Sequence, residues 1–308
     1  MILLDGPWTD WVSVPGKASV TIGVLDGVHR GHRALLGRLD EELVRTVLTF
    51  DPHPLEVLRP GTPPRLITTI AERVGLLEAA GVDCVGVLDL SQIKEQTPEQ
   101  FITDVLVGKI NAGQVVVGGD FRFGKDRAGD VELLRTAGKE HGFAVEPIDL
   151  VEELGAPISS SRIRGLIESG HVDEAADLLG SRFSLTNEVV DGDKRGRQIG
   201  FPTANLRPPL RKLIPATGVY ACFVEVRGET HPAAVNVGVR PTFGGDELLV
   251  EAYIFEFSKE IYGEDLTVEF VEYLRPELRF EDVDALVAQM GDDVSRSREI
   301  LVRTTAQM

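Results

Sequence analysis

Between residues 19 and 150 the sequence alternates short, β-branched apolar runs with stretches of helical periodicity. No other feature constrains the fold as much. The runs are SVTIGVL (19–25), RTVLTF (45–50), VDCVGVLDL (82–90), AGQVVVGG (112–119) and FAVEPIDL (143–150). The intervening stretches, 31–43, 69–80, 98–109 and 128–141, carry apolar residues at helical spacing. A strand buried on both faces reads as a continuous apolar run, and parallel neighbours need a crossover that is usually a helix. The pattern therefore predicts a doubly wound, Rossmann-like α/β domain with a parallel sheet. Residues 161–179 read as a closing pair of short helices, with Gly170 between them and Gly180 ending the second.

The texture changes after residue 182. FSLTNEVV (183–190), GVYACFVEV (218–226), HPAAVNVGV (231–239), LLVEAYIFEF (248–257) and DLTVEFVEYL (265–274) follow one another with glycines and prolines between them and no helix. Closely spaced strands of this kind predict a small antiparallel β-barrel. The apolar spacing of 281–302 predicts a C-terminal helix packed on it. The expected division is 1–182 and 183–308, in keeping with 308 residues at roughly 100–200 per domain.

Composition removes several function classes. The net charge of −17 argues against general binding to nucleic acid or anionic membrane, which requires clustered positive charge. No apolar run approaches the ~20 residues of a membrane-spanning helix, and the N-terminus lacks the features of a secretory signal, so a cytoplasmic location is expected. Two cysteines, Cys84 and Cys222, form no disulfide framework or zinc pattern and read as small buried hydrophobes. A small anionic ligand needs only a local pocket.

TIGVLDGVHRGHRALL (21–36) is the sharpest local signal. It runs from a strand through a glycine turn into a helix, with His29 and His32 three apart at the junction. Free N–H groups at a helix start attract phosphate, imidazoles there can stabilise a phosphoryl transition state, and Gly27 and Gly31 allow close approach of the backbone. The segment is neither a P-loop nor GxGxxG. A two-histidine metal site and a plain polar helix start are the competing readings. DPHP (51–54), GGDFRFGKDRAGD (118–130) and SSSRIR (159–164) follow strands or open a helix. Phe121 and Phe123 either face a planar group or belong to the core. The hydroxyls and guanidiniums of 159–164 form either a phosphate clamp or an N-cap with solvated arginines.

GDKRGRQIGFPTANLRPPLRKL (192–213) has six basic residues against one acidic. It is either a phosphate-binding arch or a solvated charge run. Within it Thr203 and Asn205, two apart, point the same way on an extended backbone and could share Mg²⁺ with a nucleotide phosphate. Glu251 is either an outward strand carboxylate or a general base.

TIGVLDGVHRGH, TFDPHP, VGGDFRFG and ISSSRIR occur in the order found in the adenylyltransferase module of prokaryotic bifunctional riboflavin kinase/FAD synthetases. GRQIGFPTANL, GVYA, VNVGVRPTF, VEAYIFEF and EIYGEDLTVEFVEYLR resemble their riboflavin kinase module. The resemblance spans about 20 to 300. It implies phosphorylation of riboflavin to FMN by the barrel and adenylylation of FMN by the α/β domain, with ATP as co-substrate and Mg²⁺ as cofactor. It further implies that His29, His32, Gly23, Asp26, Gly27, Gly31, Ser160 and Arg164 serve the ATP phosphates. Asp120, Phe123 and Arg275 would contact flavin. Gly196 and Gly200 would belong to the kinase phosphate loop, Thr203 and Asn205 would hold Mg²⁺ and ATP, and Glu251 would be the base. Leu25 stands where the family has phenylalanine and Ser161 where threonine is common, and the connection from His32 to the strand at 45 is short. The alternatives are one working module, or a flavin-binding regulator. The regulator would be favoured by loss of His29, His32, Asn205 or Glu251, and all four are present.

Overall fold

The structure is a computed structural model. It describes residues 1–306 apart from 62, 150, 154, 193–195, 197, 198, 243 and 244, and of 240–242 and 245–247 the backbone alone. The chain divides into two compact units, Met1–Ser160 and Ser161–Met308. The helix pair that the sequence reading placed with the first domain falls with the second unit in this division.

The first unit is a six-stranded, wholly parallel sheet. Its strands are β1 (Ile2–Leu4), β2 (Ala18–Ile22), β3 (Val44–Phe50), β4 (Cys84–Leu88), β5 (Ala112–Gly118) and β6 (Ala144–Ile148), in the spatial order β1-β4-β3-β2-β5-β6. Alternate residues feed two separate cores. Val20, Leu48, Cys84 and Val115 pack on one face of the sheet; Val47, Val85 and Val116 pack on the other. The doubly wound expectation is thus met. β1 escaped the sequence reading because it is three residues long, with two of them exposed.

Among the described residues the α-helices of this unit are α1 (Arg30–Leu36), α2 (Pro54–Leu58), α3 (Ile70–Ala79), α4 (Leu90–Ile93), α5 (Pro98–Gln100) and α6 (Val131–His141). The expected helix 31–43 is shorter than its periodicity suggests. It ends where the Gly37 N–H bonds to the Arg33 carbonyl, and Asp40 then accepts from the Glu42 N–H in a turn. The expected helix 98–109 continues from α5 as a π-helix over Phe101–Val107. The wider turn keeps Phe101, Ile102, Val105 and Leu106 on one buried face. A two-stranded ribbon, β7 (Glu152–Glu153) and β8 (Ala156–Pro157), follows.

The second unit begins with α7 (Ser160–Glu168, whose first residue belongs to the first unit) and α8 (Val172–Leu179). Gly180, at φ +74°, ends α8 in the left-handed conformation expected of a C-terminal glycine. Six antiparallel strands then close a barrel: β9 (Ser184–Val190), β10 (Ala204–Leu206), β11 (Gly218–Val226), β12 (Glu229–Thr242), β13 (Gly245–Ile254) and β14 (Asp265–Arg275). β10 was not foreseen, since three residues beside prolines show no period. Inward residues such as Leu185, Cys222, Val235, Val250 and Phe270 are fully buried. The Tyr220 hydroxyl, inside the barrel, donates to the Ala216 carbonyl at 2.6 Å. Outward residues Val219, Ala221 and Ala234 lie beneath Ile300 and Leu301 of the long terminal helix α9 (Val283–Ala306). Cys84 and Cys222 are free and buried, and burial lifts both thiols above their ordinary pKa, Cys84 to about 11. Among the described residues no helix is long and apolar enough to cross a membrane.

Gly86, in the middle of β4, packs closely against the tryptophan side of the sheet. A Cβ there would lie 2.6 Å from Leu48 and 2.9 Å from Trp11. Gly86→Ala should therefore cost about 1–3 kcal/mol. Both tryptophans, Trp8 and Trp11, lie in the first unit. Urea unfolding followed by tryptophan fluorescence should show a lower midpoint, and an unchanged midpoint would contradict the packing described.

Candidate active sites

In the parallel sheet the chain runs outward from β2 through β3 to β4, then crosses to β5 and β6 on the other side of β2. Ligands of open α/β sheets bind at the carboxyl ends of the strands where the order reverses. β2 opens there into residues 23–29, and β5 into residues 119–129. The topology thus brings Gly23, Asp26, Gly27, His29, Gly31, His32, Asp120 and Phe123 to one edge.

The turn after β2 is held from beneath. Asp26 is 1% exposed, and its carboxylate accepts from the Ile67 N–H (3.0 Å), the Thr68 N–H (2.8 Å) and the Thr68 hydroxyl (2.9 Å). Thr68 Oγ1 also accepts from the Gly27 N–H at 3.0 Å. Arg73, equally buried, lies 3.8 Å from Asp26 and donates to Thr49 Oγ1 and the Phe50 carbonyl at the end of β3. These contacts impose left-handed φ on Leu25 (+50°), Gly27 (+84°) and Val28 (+41°). Glycine accepts that freely; a β-branched valine does not. The strain, of order 1–3 kcal/mol per non-glycine residue, persists because the buried clamp over-determines the turn. Asp26 is consequently placed to shape the turn rather than to touch a phosphate. Leu25 is not the end of a strand. It sits in the turn, 3% exposed, within the core beneath α1, so the departure from phenylalanine falls on packing.

His29 caps α1: its Nδ1 accepts from the His32 N–H at 3.3 Å, which leaves the ring proton of the neutral form on Nε2. The two imidazoles stack with centroids 3.5 Å apart and planes 18° apart. A Cβ at Gly31 would lie 3.2 Å from the His29 ring, so glycine leaves the stack room. Burial, the neighbouring His29 and the Arg73 charge hold the His32 pKa well below its ordinary 6.5. The Ser160 hydroxyl donates to the Asp26 carbonyl at 3.1 Å, placing the start of SSSRIR against the same turn. Arg164 follows one turn later on α7, on the same helix face as Ser160.

Of the two phenylalanines, Phe123 belongs to the core. It is 8% exposed and packs against Phe101. Phe121 stacks on it at 5.5 Å and 15°, is only partly buried, and is the ring with a face to offer. Asp120 is exposed on the same loop. His53 of DPHP is structural, since it caps α2 in a reciprocal box with Glu56.

The second site is a cleft of about 530 Å³ on the outer face of the barrel. Gly196, Thr203, Asn205, Glu251 and Arg275 all line it. Register explains the meeting. Asn205 on β10 and Asn236 on β12 both pair directly with Glu251 on β13, and residues directly opposite in antiparallel strands share a face. Asn236 was missed as a site residue, although its segment was read as a strand; only the three-strand register reveals it. Leu286, Met290 and Val294 of α9 complete the wall. A smaller cleft, about 230 Å³, shares Thr203 and Asn205 and is lined by Ala204, Ala252 and Ile254 from the opposite strand face, with Lys259 and Tyr262. Gly200 lies outside both linings, exposed at φ +89°. Asp193, Lys194, Arg195, Arg197 and Gln198 of the basic stretch lie outside the described residues.

Hard oxygen donors suit Mg²⁺. Thr203 and Asn205 supply a hydroxyl and an amide oxygen. A Cβ at Gly192 would lie 2.2–2.9 Å from the Asn205 amide, so glycine keeps space for that group. The donor set therefore fits a magnesium ion shared with nucleotide phosphates. Among the described residues no group of three or more His, Cys, Asp or Glu side chains could hold a metal.

Comparison with known proteins bears on both units. A family model for FAD synthetase matches residues 12–162 and one for riboflavin kinase matches 179–301. A bifunctional riboflavin kinase/FMN adenylyltransferase of Pseudomonas fluorescens is 37% identical over 91% of this chain and 92% of its own length. The chain belongs to the bifunctional riboflavin kinase/FMN adenylyltransferase family. The Escherichia coli K12 member is 39% identical, over 91% of each chain. A crystal structure described as a macrolide-efflux protein from Streptococcus pneumoniae superimposes with a TM-score of 0.90 at 34% identity, covering 97% of this chain and 99% of that one. In this member the family's α/β and barrel modules follow one another in the order read from the motifs.

The depressed His32 pKa has a definite sign. In the folded chain the ring stays neutral as pH falls through 6.5, whereas in the unfolded chain it takes up a proton. This group's share of stability is complete above pH 6.5 and declines below it, by up to about 1.4 kcal/mol per pH unit. NMR of the ligand-free protein should show the His32 ring resonances unshifted between pH 8 and 6. A titration midpoint near 6.5 would contradict the environment described.

Proposed function

We propose that the sheet edge of the α/β unit and the cleft region of the barrel carry out the family's two reactions in series, with 1–182 as the adenylyltransferase module and 183–308 as the kinase module. The barrel phosphorylates riboflavin to FMN with ATP; the α/β unit joins FMN to the AMP part of a second ATP and releases pyrophosphate. The register that aligns Asn205, Glu251 and Asn236 carries the kinase reading. The large cleft, apolar along α9, takes the flavin, and the smaller one takes the nucleotide. Thr203 and Asn205 stand on their shared border. Glu251 accepts the proton of the terminal ribityl hydroxyl as its oxygen attacks the γ-phosphorus and ADP leaves. A carboxylate suffices, because the transition state is loose and demands mainly positioning and charge neutralisation. Mg²⁺ held by Thr203 and Asn205 would neutralise the phosphate charge there.

In the other module a phosphate oxygen of FMN attacks the α-phosphorus of ATP, and the bond from that phosphorus to the bridging oxygen of pyrophosphate breaks. His29 Nε2–H and His32 donate to the phosphates and meet the charge that grows on them. Ser160 and Arg164 extend this donor set, Gly23, Gly27 and Gly31 let the phosphates approach the backbone, and Gly196 and Gly200 do the same in the kinase. Phe121, rather than Phe123, faces the flavin, beside Asp120.

Glu251→Gln should lower FMN formation by about 10²-fold or more while FAD formation from supplied FMN continues. His29→Ala should do the reverse. Both are read by chromatographic separation of flavins. Unchanged FMN formation in Glu251→Gln overturns the base assignment. Loss of FMN formation in His29→Ala overturns the division of labour.

A further inference from the structure

Arg275 ends β14 at the point where the large cleft meets α9, and its guanidinium is tightly held. Nε donates to Asp293 Oδ1 at 2.8 Å and Nη2 to Oδ2 at 2.6 Å, while Nη1 donates to the Pro276 carbonyl at 2.9 Å. One turn earlier on α9, Gln289 Nε2 donates to the same Oδ1 at 3.1 Å. The two side chains are 16% and 9% exposed, and both line the cleft that contains Glu251. An arginine has five N–H donors in one plane. Three are committed here. The remaining two belong to Nη1 and Nη2, on a plane that the side-on carboxylate fixes.

Without its carboxylate, Arg275 would be a long, mobile side chain carrying a full charge, suited to a phosphate. With it, the pair is neutral and presents adjacent N–H donors of fixed direction. That suits an uncharged carbonyl, and the ring system of riboflavin carries carbonyls on one edge. We propose that Asp293 is a positioning residue for the kinase reaction: it aims Arg275 at a flavin carbonyl and cancels its charge, so that α9 helps to set flavin affinity. This rests on reading the barrel as the riboflavin kinase.

The test uses the full-length enzyme. Asp293→Asn should raise the KM for riboflavin about tenfold. The kcat and the KM for ATP should stay within twofold, and FAD formation from supplied FMN should be unaffected. Asp293→Glu, which keeps the carboxylate, should recover part of the loss. In an Arg275→Met background, where the riboflavin KM is already raised, Asp293→Asn should add nothing further. A role in merely docking α9 would instead lower the thermal midpoint and reduce kcat along with both KM effects, and that result overturns the proposal. So does a full additional penalty in the Arg275→Met background, because Asp293 would then not act through Arg275. If the unsubstituted enzyme makes no FMN, the kinase reading itself falls and takes this inference with it.

Discussion

The α/β unit depends on one buried carboxylate. Asp26 sits 1% exposed beneath the turn that follows the central strand, and gathers the Ile67 and Thr68 backbone with the Arg73 charge close by. An unpaired charge so deep would be prohibitively costly; engaged in this way it becomes a rigid nail. The turn it fixes contains left-handed Leu25 and Val28, a conformation that nothing local favours. His29 and His32 leave that turn stacked on each other at the start of α1. Removing the carboxylate would release the strain and, with it, the geometry of the histidines. The residue nearest the family signature that looks most like a ligand contact is thus the one that builds the site.

The barrel solves the same problem by register. Three adjacent antiparallel strands place Asn205, Glu251 and Asn236 side by side. The net charge of −17 leaves room for a small anionic ligand, because such a ligand needs only a local pocket.

Much of this was legible from sequence. Continuous apolar runs declared the parallel sheet, since strands covered on both faces have no polar side. The two-residue spacing of Thr203 and Asn205 put them on one face, and both line the same cleft. What escaped was non-local. Phe121 and Phe123 have the same spacing, and only packing against Phe101 decides which is core. Asn236 and Asp293 acquire their surroundings from strands and a helix that lie far away in sequence. The π-helical turn at Phe101–Val107 hides within ordinary helical periodicity, because both place apolar residues on one side.

The central claim is that this one chain holds two working active sites that act in series. The most direct measurement is an incubation of the purified protein with riboflavin, ATP and Mg²⁺, with flavins separated by chromatography over time. The account predicts FMN that rises and then gives way to FAD. FMN that accumulates without ever becoming FAD, even when FMN and ATP are supplied directly, would contradict it.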